Sequence, residues 1–194
     1  AWQTSALSPG ARARIALARQ GASDGDGRVL ITFPNGDTRR MRDGPSAAIT
    51  RAVVEVFAKR FLGQPAIIAI SDSGDKVFDL DLVRAKAIGL NIRADQDLPD
   101  VVMVDLAPTI PLLVFLEVVA TDGPISERRK AALESLVAEA GFPLEHVAFV
   151  SAYLDRGMAP FRKTIANLAW GSYAWFATEP DCLIELTANR RTIA

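Results

Sequence analysis

The sequence contains very few of the residues that build disulfide frameworks and zinc sites. Its 194 residues include one cysteine, Cys182, and one histidine, His146. A single cysteine excludes an internal disulfide, and one cysteine with one histidine excludes the clusters that hold structural zinc. Any metal ion bound by this chain must therefore be held by oxygen ligands.

Long apolar runs and a strong charge excess are also missing. The longest apolar run, from Pro111 to Ala120, is interrupted by Glu117 and is much shorter than the about 20 residues that cross a bilayer. The chain has 22 basic and 23 acidic residues, which argues against a protein that binds nucleic acid merely because it is basic. A Gly-x-x-x-x-Gly-Lys motif is absent, which argues against an NTPase.

The composition predicts one packed domain with a short N-terminal extension. A hydrophobic content of 49% is typical of a soluble globular protein. Residues 1–27 show little apolar periodicity and are predicted to form a short helix or an arm outside the core, whereas residues 28–194 form the domain. The chain begins at Ala1 without a leader pattern, so we interpret it as a processed chain or a piece of a longer protein.

The order of predicted elements is that of an α/β domain. Asn35-Gly36 between two strand-like runs predicts a hairpin over residues 28–42. Apolar residues at four-residue spacing predict a helix from Ser46, its cap, to Phe61. The elements that follow are a strand (66–70), a short helix (79–88), two buried strands (101–104 and 111–120), a helix starting at Ser126 or Asp122, a strand (147–153), a helix (158–169) and two strands (173–178 and 182–186).

Two acidic residues, Asp100 and Glu117, carry the main functional hypothesis. If residues 107–110 form the turn between the two buried strands, these residues lie opposite each other on one face, with Cβ atoms about 4.5 to 5.5 Å apart. At an effective dielectric near 20, two charges about 5 Å apart repel by roughly 3 kcal/mol. A shared proton or a divalent cation would offset that repulsion, and Mg²⁺ typically takes one or two protein carboxylates.

The alternative is that neither carboxylate belongs to a metal site. Asp100 would then cap a turn after Pro99, and Glu117 would face solvent from an edge strand. Against this alternative, Glu117 is the only charged residue between Pro111 and Ala120, in a run too apolar for an edge strand. The strand register decides between the two, because a slip of one residue moves Glu117 to the opposite face.

Two further segments offer candidate site residues. Residues 71–76 follow the neighbouring strand and provide Asp72 as a metal ligand and Lys76 as a charge stabiliser, or else they form a plain turn. Residues 126–130 at a helix start present cations, including Lys130, to phosphates or form a solvated face. The arginines that could position phosphates, or that could be simple surface charges, are Arg39, Arg40, Arg42 and Arg129.

The remaining reactive side chains are given structural roles. His146 lies beside Glu145 before a strand, without a nearby nucleophile, which argues against a Ser-His-Asp triad. Cys182 lies among apolar residues and is predicted to be part of the core rather than a nucleophile.

Pro99-Asp100 before the second core strand and Glu117 within the third resemble the PD-(D/E)XK nuclease motif. A larger part of the chain resembles the C-terminal catalytic domain of the BsuBI/PstI restriction endonuclease family. The stretches that carry the resemblance are Ile49 to Phe61, Asp72 to Lys76, Pro99 to Val102, Glu117 to Pro124, Arg129, Ala169-Trp170 and Trp175.

The resemblance implies both a fold and an activity. The fold is α/β, with a central mixed sheet flanked by helices in the order helix-strand-strand-strand-helix-strand. The activity is Mg²⁺-dependent cleavage of double-stranded DNA by a cytoplasmic homodimer that works with a cognate DNA methyltransferase. The residues implied in catalysis are Asp100 and Glu117, which bind the metal, with Asp72 and Lys76. The residues implied in DNA binding are Arg129, Lys130, Arg42 and Arg40.

The chain departs from the family pattern at several positions. Val119 stands where the nuclease motif expects lysine, so Lys76 or Lys130 would have to supply that cation. The other departures are at Asp122, Gly171, Cys182 and Glu185. They leave open a diverged, catalytically inactive DNA-binding or interaction domain of the same fold. A third hypothesis is a non-nuclease α/β hydrolytic domain, which a structure with the two carboxylates far apart would favour.

Overall fold

The structure is a computed structural model that describes residues 7–20, 27–71, 79–92, 97–121 and 123–188. Its helices are α1 (Pro9–Gln20), α2 (Pro45–Ala52), which continues through a π-helical stretch (Val53–Phe57) into α3 (Ala58–Phe61), α4 (Leu82–Ala87), α5 (Glu127–Glu139) and α6 (Ala159–Thr164). Its strands are β1 (Arg28–Thr32), β2 (Thr38–Arg42), β3 (Pro65–Ile70), β4 (Asp79–Leu80), β5 (Val101–Asp105), β6 (Leu112–Val118), β7 (Val147–Tyr153), β8 (Ser172–Phe176) and β9 (Leu183–Leu186).

A mixed sheet of seven strands forms the centre of the described chain, in the order β4-β3-β5-β6-β7-β8-β9. Strand β5 is antiparallel to both β3 and β6, whereas β6, β7 and β8 are parallel. The end of β3, the start of β5 and the ends of β6 and β7 therefore lie at the same end of the sheet. We call this the site end, because Asp100 and Glu117 lie there.

The predicted register of the two central strands is confirmed. Val101 pairs with Leu116, and Asp105 pairs with Leu112. Every residue of β5 is buried, as expected for a strand covered on both faces. The same register, continued by one residue, places Asp100 opposite Glu117.

Helices and a hairpin cover the two faces of the sheet. Residues of α4 and α5, such as Ala85 and Leu133, pack on the face that carries Val102 and Phe115. The β1-β2 hairpin and the α2 segment pack on the opposite face, together with Val114 and Leu116 of β6. The predicted hairpin is confirmed, with Arg28 paired to Arg42. Alternate residues of β6 thus face two separate apolar layers, and Glu117 belongs to the α5 side.

The N-terminal segment differs from expectation in how it packs. A short helix was one of the predicted forms, and α1 is that helix, but Ala11 and Ile15 are buried. The expectation that this segment lies outside the core is therefore wrong for these two residues. Their spacing of four residues places them on one helix face. In the sequence these two residues lie among arginines and alanines, so the apolar helix face was not recognised.

Two predicted helix starts were also wrong. The helix predicted from residue 79 begins later, because residues 79 and 80 form β4 and Asp81 is the cap, accepting a hydrogen bond from the Arg84 N–H at 2.8 Å. Ser46 does not cap α2. Gly44 occupies the cap position, and Pro45 begins the helix, which suits proline because its missing N–H has no partner in the first turn.

Asp105 at the end of β5 fastens the following turn to the start of β3. Its carboxylate accepts backbone N–H hydrogen bonds from Gly63 at 2.9 Å, Gln64 at 2.7 Å and Ala107 at 3.0 Å. Burial raises the pKa of Asp105, but these three donors outweigh burial and hold the pKa below its usual value.

Asp105→Ala is expected to lower the free energy of unfolding by about 2 to 3 kcal/mol, because three backbone donors lose a charged acceptor. A lowered pKa means that the Asp105 contribution is present above the unfolded-state pKa near 3.8 and is lost as pH falls through the lower folded-state value. Urea unfolding at pH 7 and at pH 3 measures this. An equal loss at both pH values would contradict the assignment to the ionised carboxylate.

Candidate active site

Asp100 and Glu117 lie side by side at the site end of the sheet. Asp100 immediately precedes β5, and Glu117 is the penultimate residue of β6. Both strands pass through the middle of the sheet, so Glu117 is not on an edge strand. The alternative that placed Glu117 on an edge strand facing solvent is therefore wrong, and the wide separation that would have favoured the third hypothesis is not observed.

The Asp100 carboxylate joins the two strands that flank β5. Its Oδ1 accepts a hydrogen bond from the Ser71 hydroxyl at 3.1 Å, and its Oδ2 accepts one from the Val118 N–H at 2.8 Å. The Ser71 N–H also donates to the Asp100 carbonyl at 2.8 Å. These contacts fix the carboxylate between the ends of β3 and β6. The turn-capping alternative for Asp100 does not describe this arrangement.

Glu117 is a buried acid with an altered protonation equilibrium. The residue is only 9% exposed. Burial and the negative charge of Asp100 raise the pKa of Glu117 to about 7, although Arg129 and the Asp100 N–H act in the opposite direction. Near neutral pH, the side chain therefore exchanges between the acid and the carboxylate, and a cation would favour the carboxylate.

Arg129 on α5 is the positive partner of Glu117. Its Nε donates to Glu117 Oε1 at 2.7 Å, and its terminal nitrogens donate to Asp97 Oδ2 at 2.6 Å and to the Leu98 carbonyl at 3.1 Å. Burial lowers the pKa of Arg129, but Glu117 and Asp97 outweigh burial and raise it. Arg129 thus connects Glu117 to the segment that leads into Asp100.

The start of α5 positions Arg129. Ser126 caps the helix by accepting the Arg129 N–H at 3.3 Å, which confirms one of the two predicted helix starts. The hydroxyl of Ser151, which pairs with Glu117 on the neighbouring strand, accepts the Ile125 N–H at 2.9 Å. The sequence analysis missed Ser71, Asp97 and Ser151. A polar residue in an otherwise apolar strand, as Ser151 is in β7, was the available signal.

The other predicted site residues that the structure describes, Lys130, Arg40 and Arg42, do not converge on the acid pair. Lys130 Nζ pairs with Glu134 at 2.7 Å and lies 5.4 Å from the centre of the Phe149 ring. Arg40 and Arg42 are exposed on β2, in the hairpin that covers the opposite face of the sheet. Their role in DNA binding stays a prediction.

Several predicted positions fall outside the described residues or differ from expectation. Asp72, Lys76 and Asp122 lie outside the described residues. Cys182 is exposed, so the prediction that it belongs to the core is wrong. It lies in the turn before β9, a short strand at the edge of the sheet where apolar neighbours do not imply burial.

The donor set at the acid pair fits a hard divalent cation. Within the described ranges, no group of three or more His, Cys, Asp or Glu side chains is arranged to hold a metal ion. Two carboxylates are nevertheless enough for Mg²⁺, which keeps several waters and takes further oxygens from a phosphate substrate. The pKa of Glu117 is raised, so a bound cation would stabilise the charged form of this side chain.

This sheet, with adjacent acids at the start of one central strand and the end of the next, is the PD-(D/E)XK nuclease-like core. The sequence model of the BsuBI/PstI restriction endonuclease domain matches residues 29–189, and the chain belongs to this family. The type II restriction enzyme BsuBI of Bacillus subtilis is 26% identical over 167 residues, which are 84% of this chain and 49% of that enzyme.

A solved structure agrees with the sequence comparisons. The chain matches the SdaI restriction endonuclease structure with a TM-score of 0.74 and 26% identity, over 93% of this chain and 53% of that chain. The chain therefore spans about half the length of the relatives it matches. In the described residues, no helix is both long enough and apolar enough to cross a membrane.

Proposed function

We propose that this chain is the catalytic domain of a type II restriction endonuclease that hydrolyses phosphodiester bonds of double-stranded DNA with Mg²⁺. The observation that carries the proposal is the close approach of two acids at adjacent central strands, Asp100 and the buried Glu117, whose charges interact. Membership of the BsuBI/PstI family supports DNA as the substrate.

Asp100 and Glu117 would hold the metal ion in this proposal. When bound, Mg²⁺ supplies charge neutralisation at the scissile phosphate and makes a water molecule more acidic. Ser71 and the Val118 N–H hold the Asp100 carboxylate in place. Arg129 holds Glu117 and keeps part of its negative charge compensated. These contacts reduce the reorganisation that substrate binding requires.

The roles of Asp72 and Lys76 follow from the family resemblance. Ser71, which directly precedes Asp72 in the sequence, donates to Asp100, so the end of β3 reaches the acid pair. We propose that Lys76 orients or deprotonates the attacking water, because Val119 occupies the usual lysine position and is fully buried. Asp72 would add a carboxylate to the site.

Partners and location are proposed on the same basis. We propose a homodimer, as the family resemblance implies, in which each of two active sites would cut one strand of the duplex. A restriction enzyme requires protection of the host DNA, so a cognate DNA methyltransferase is the expected companion, and the cytoplasm is the expected location. Arg40 and Arg42 remain candidates for phosphate contacts, and Arg129 and Lys130 would make such contacts only by exchanging their present partners.

The direct test is cleavage of DNA that contains many different sequences. Purified protein with Mg²⁺ is expected to cut a large viral genome into discrete fragments, resolved on an agarose gel, whereas EDTA prevents cutting. Discrete bands distinguish site-specific hydrolysis from a contaminating nuclease, which leaves a smear. Absence of cutting with both Mg²⁺ and Mn²⁺ would instead favour the inactive DNA-binding domain.

Metal binding is expected to strengthen as pH rises. Because the Glu117 pKa is about 7, the proton competes with Mg²⁺ below that value, and the apparent Kd for Mg²⁺ should fall about tenfold between pH 6 and pH 8. Thermal shift titrations with MgCl₂ at the two pH values measure this. Glu117→Gln removes the titrating group, so a variant that kept the same pH dependence would contradict the assignment.

A further inference from the structure

A cationic cavity lies at the same end of the sheet as the acid pair. A cavity of about 540 Å³ opens between α1, the chain after β6 and the start of α6. Its base is apolar and includes Ile15 and Met158. Among the described residues that line it, three are cations, namely Arg12, Arg19 and Lys163, and none is acidic.

The three cations have no carboxylate partner among the residues that the structure describes. Arg14, on the same helix, and Arg156 both pair with Glu179 instead. The side chains of Arg12, Arg19 and Lys163 are exposed. Three uncompensated positive charges around one cavity raise the local concentration of anions, so the cavity is suited to a negatively charged ligand.

The position of the cavity connects it to the acid pair. Ala120 and Thr121 line the cavity and follow Glu117 by three and four residues. Four extended residues span at most about 14 Å. Because B-DNA advances 3.4 Å per base pair, a distance of about 14 Å corresponds to roughly four base pairs. The cavity lies where Ile15 packs on the hairpin side of the sheet, so a duplex with its scissile phosphate at the acid pair would reach it by crossing the site end of the sheet.

We propose that the cavity binds phosphodiester groups of the DNA strand a few nucleotides from the scissile bond. This inference rests on the proposed function. Arg12, Arg19 and Lys163 contact the phosphates, and the apolar base accommodates the deoxyribose between them. Such contacts fix the position of the duplex over Asp100 and Glu117 without reading its sequence. The cavity is thus a positioning site for DNA, outside the acid pair itself.

Charge-matched variants test the proposal. The cavity variant is Arg12→Gln/Arg19→Gln/Lys163→Gln, and the control variant is Arg14→Gln/Lys59→Gln/Arg162→Gln, which removes the same charge from exposed residues that do not line the cavity. Binding of a labelled 30-base-pair duplex is measured by fluorescence anisotropy from 50 to 300 mM NaCl, with Ca²⁺ replacing Mg²⁺ to prevent cutting. Circular dichroism checks the fold of each variant.

The cavity variant is expected to bind DNA at least about tenfold more weakly. Its slope of log Kd against log salt is expected to fall by about 0.9 for each lost phosphate contact, hence by about 2 to 3 in total. The control variant keeps most of the wild-type slope, and both variants keep the Mg²⁺-induced thermal shift. Retention of that shift shows that the acid pair is intact.

Three results would overturn the inference. If the cavity variant and the control lose DNA affinity equally while wild type cuts DNA, the cavity is not a DNA site although the proposed function stands. If inorganic phosphate stabilises wild type but not the cavity variant, and the DNA slope is unchanged, the cavity is a small-anion site. If wild type neither binds nor cuts DNA, the inference and the proposed function fail together.

Discussion

Asp100→Asn and Glu117→Gln are each expected to reduce DNA cleavage by roughly 1,000-fold. Each substitution removes one negative charge from the acid pair and leaves the side chain almost the same size. The amide that replaces Glu117 retains an oxygen for Arg129, so the fold is expected to persist. Single-turnover cleavage with saturating Mg²⁺ measures the rate, and circular dichroism confirms folding.

The matched control for these substitutions is Glu134→Gln. Glu134 lies on α5 and pairs with Lys130 rather than with the acid pair. This variant should retain cleavage within about threefold of wild type, since an exchange of one surface ion pair has a small effect. A folded Asp100→Asn variant that cuts as fast as Glu134→Gln would refute the assignment of the acid pair as the active site.

Removal of Arg129 is expected to be the most destabilising charge change at the site. Arg129→Met leaves Glu117 buried beside Asp100 without its positive partner, and breaking a buried ion pair in this way typically costs about 3 kcal/mol. The loss should be greater at pH 8 than at pH 5. The pKa of Glu117 is about 7, so at pH 5 its side chain is protonated and uncharged. The neutral side chain does not require Arg129 as a partner. Chemical unfolding at the two pH values measures the difference.

A double substitution separates charge from packing in this prediction. Arg129→Met/Glu117→Gln removes both charges and should recover most of the stability lost at pH 8. Arg162→Met, at an exposed position, should change the free energy of unfolding by less than about 0.5 kcal/mol. Equal losses at both pH values, with no recovery in the double variant, would show that Arg129 acts through packing alone.

The sequence predicted the contact between the two acids through the strand register. A turn over residues 107–110 between two buried strands places the acids opposite each other, whereas a slip of one residue separates them. The structure has that register, with Val101 opposite Leu116. The prediction succeeded because the assumed turn between the two strands has the length that the structure shows, and the turn length sets the register of a hairpin.

The sequence did not reveal the partners that surround the acids. Arg129 was assigned to DNA, because the sequence could not show that a helix packed over the sheet directs this side chain to Glu117. Ser71 precedes Asp100 by 29 residues, and Asp97 precedes its partner Arg129 by 32 residues. Such contacts depend on how helices and strands pack against one another. The local spacing of apolar residues does not predict that packing.

Helix α1 limits where this protein can be truncated. The family match begins at residue 29, yet Ala11 and Ile15 are buried in the described structure. A truncation placed at the family boundary would therefore cut through a folding unit, uncover apolar surface, and delete Arg12 and Arg19. The region that the family model matches and the packed structure of this chain therefore begin at different residues.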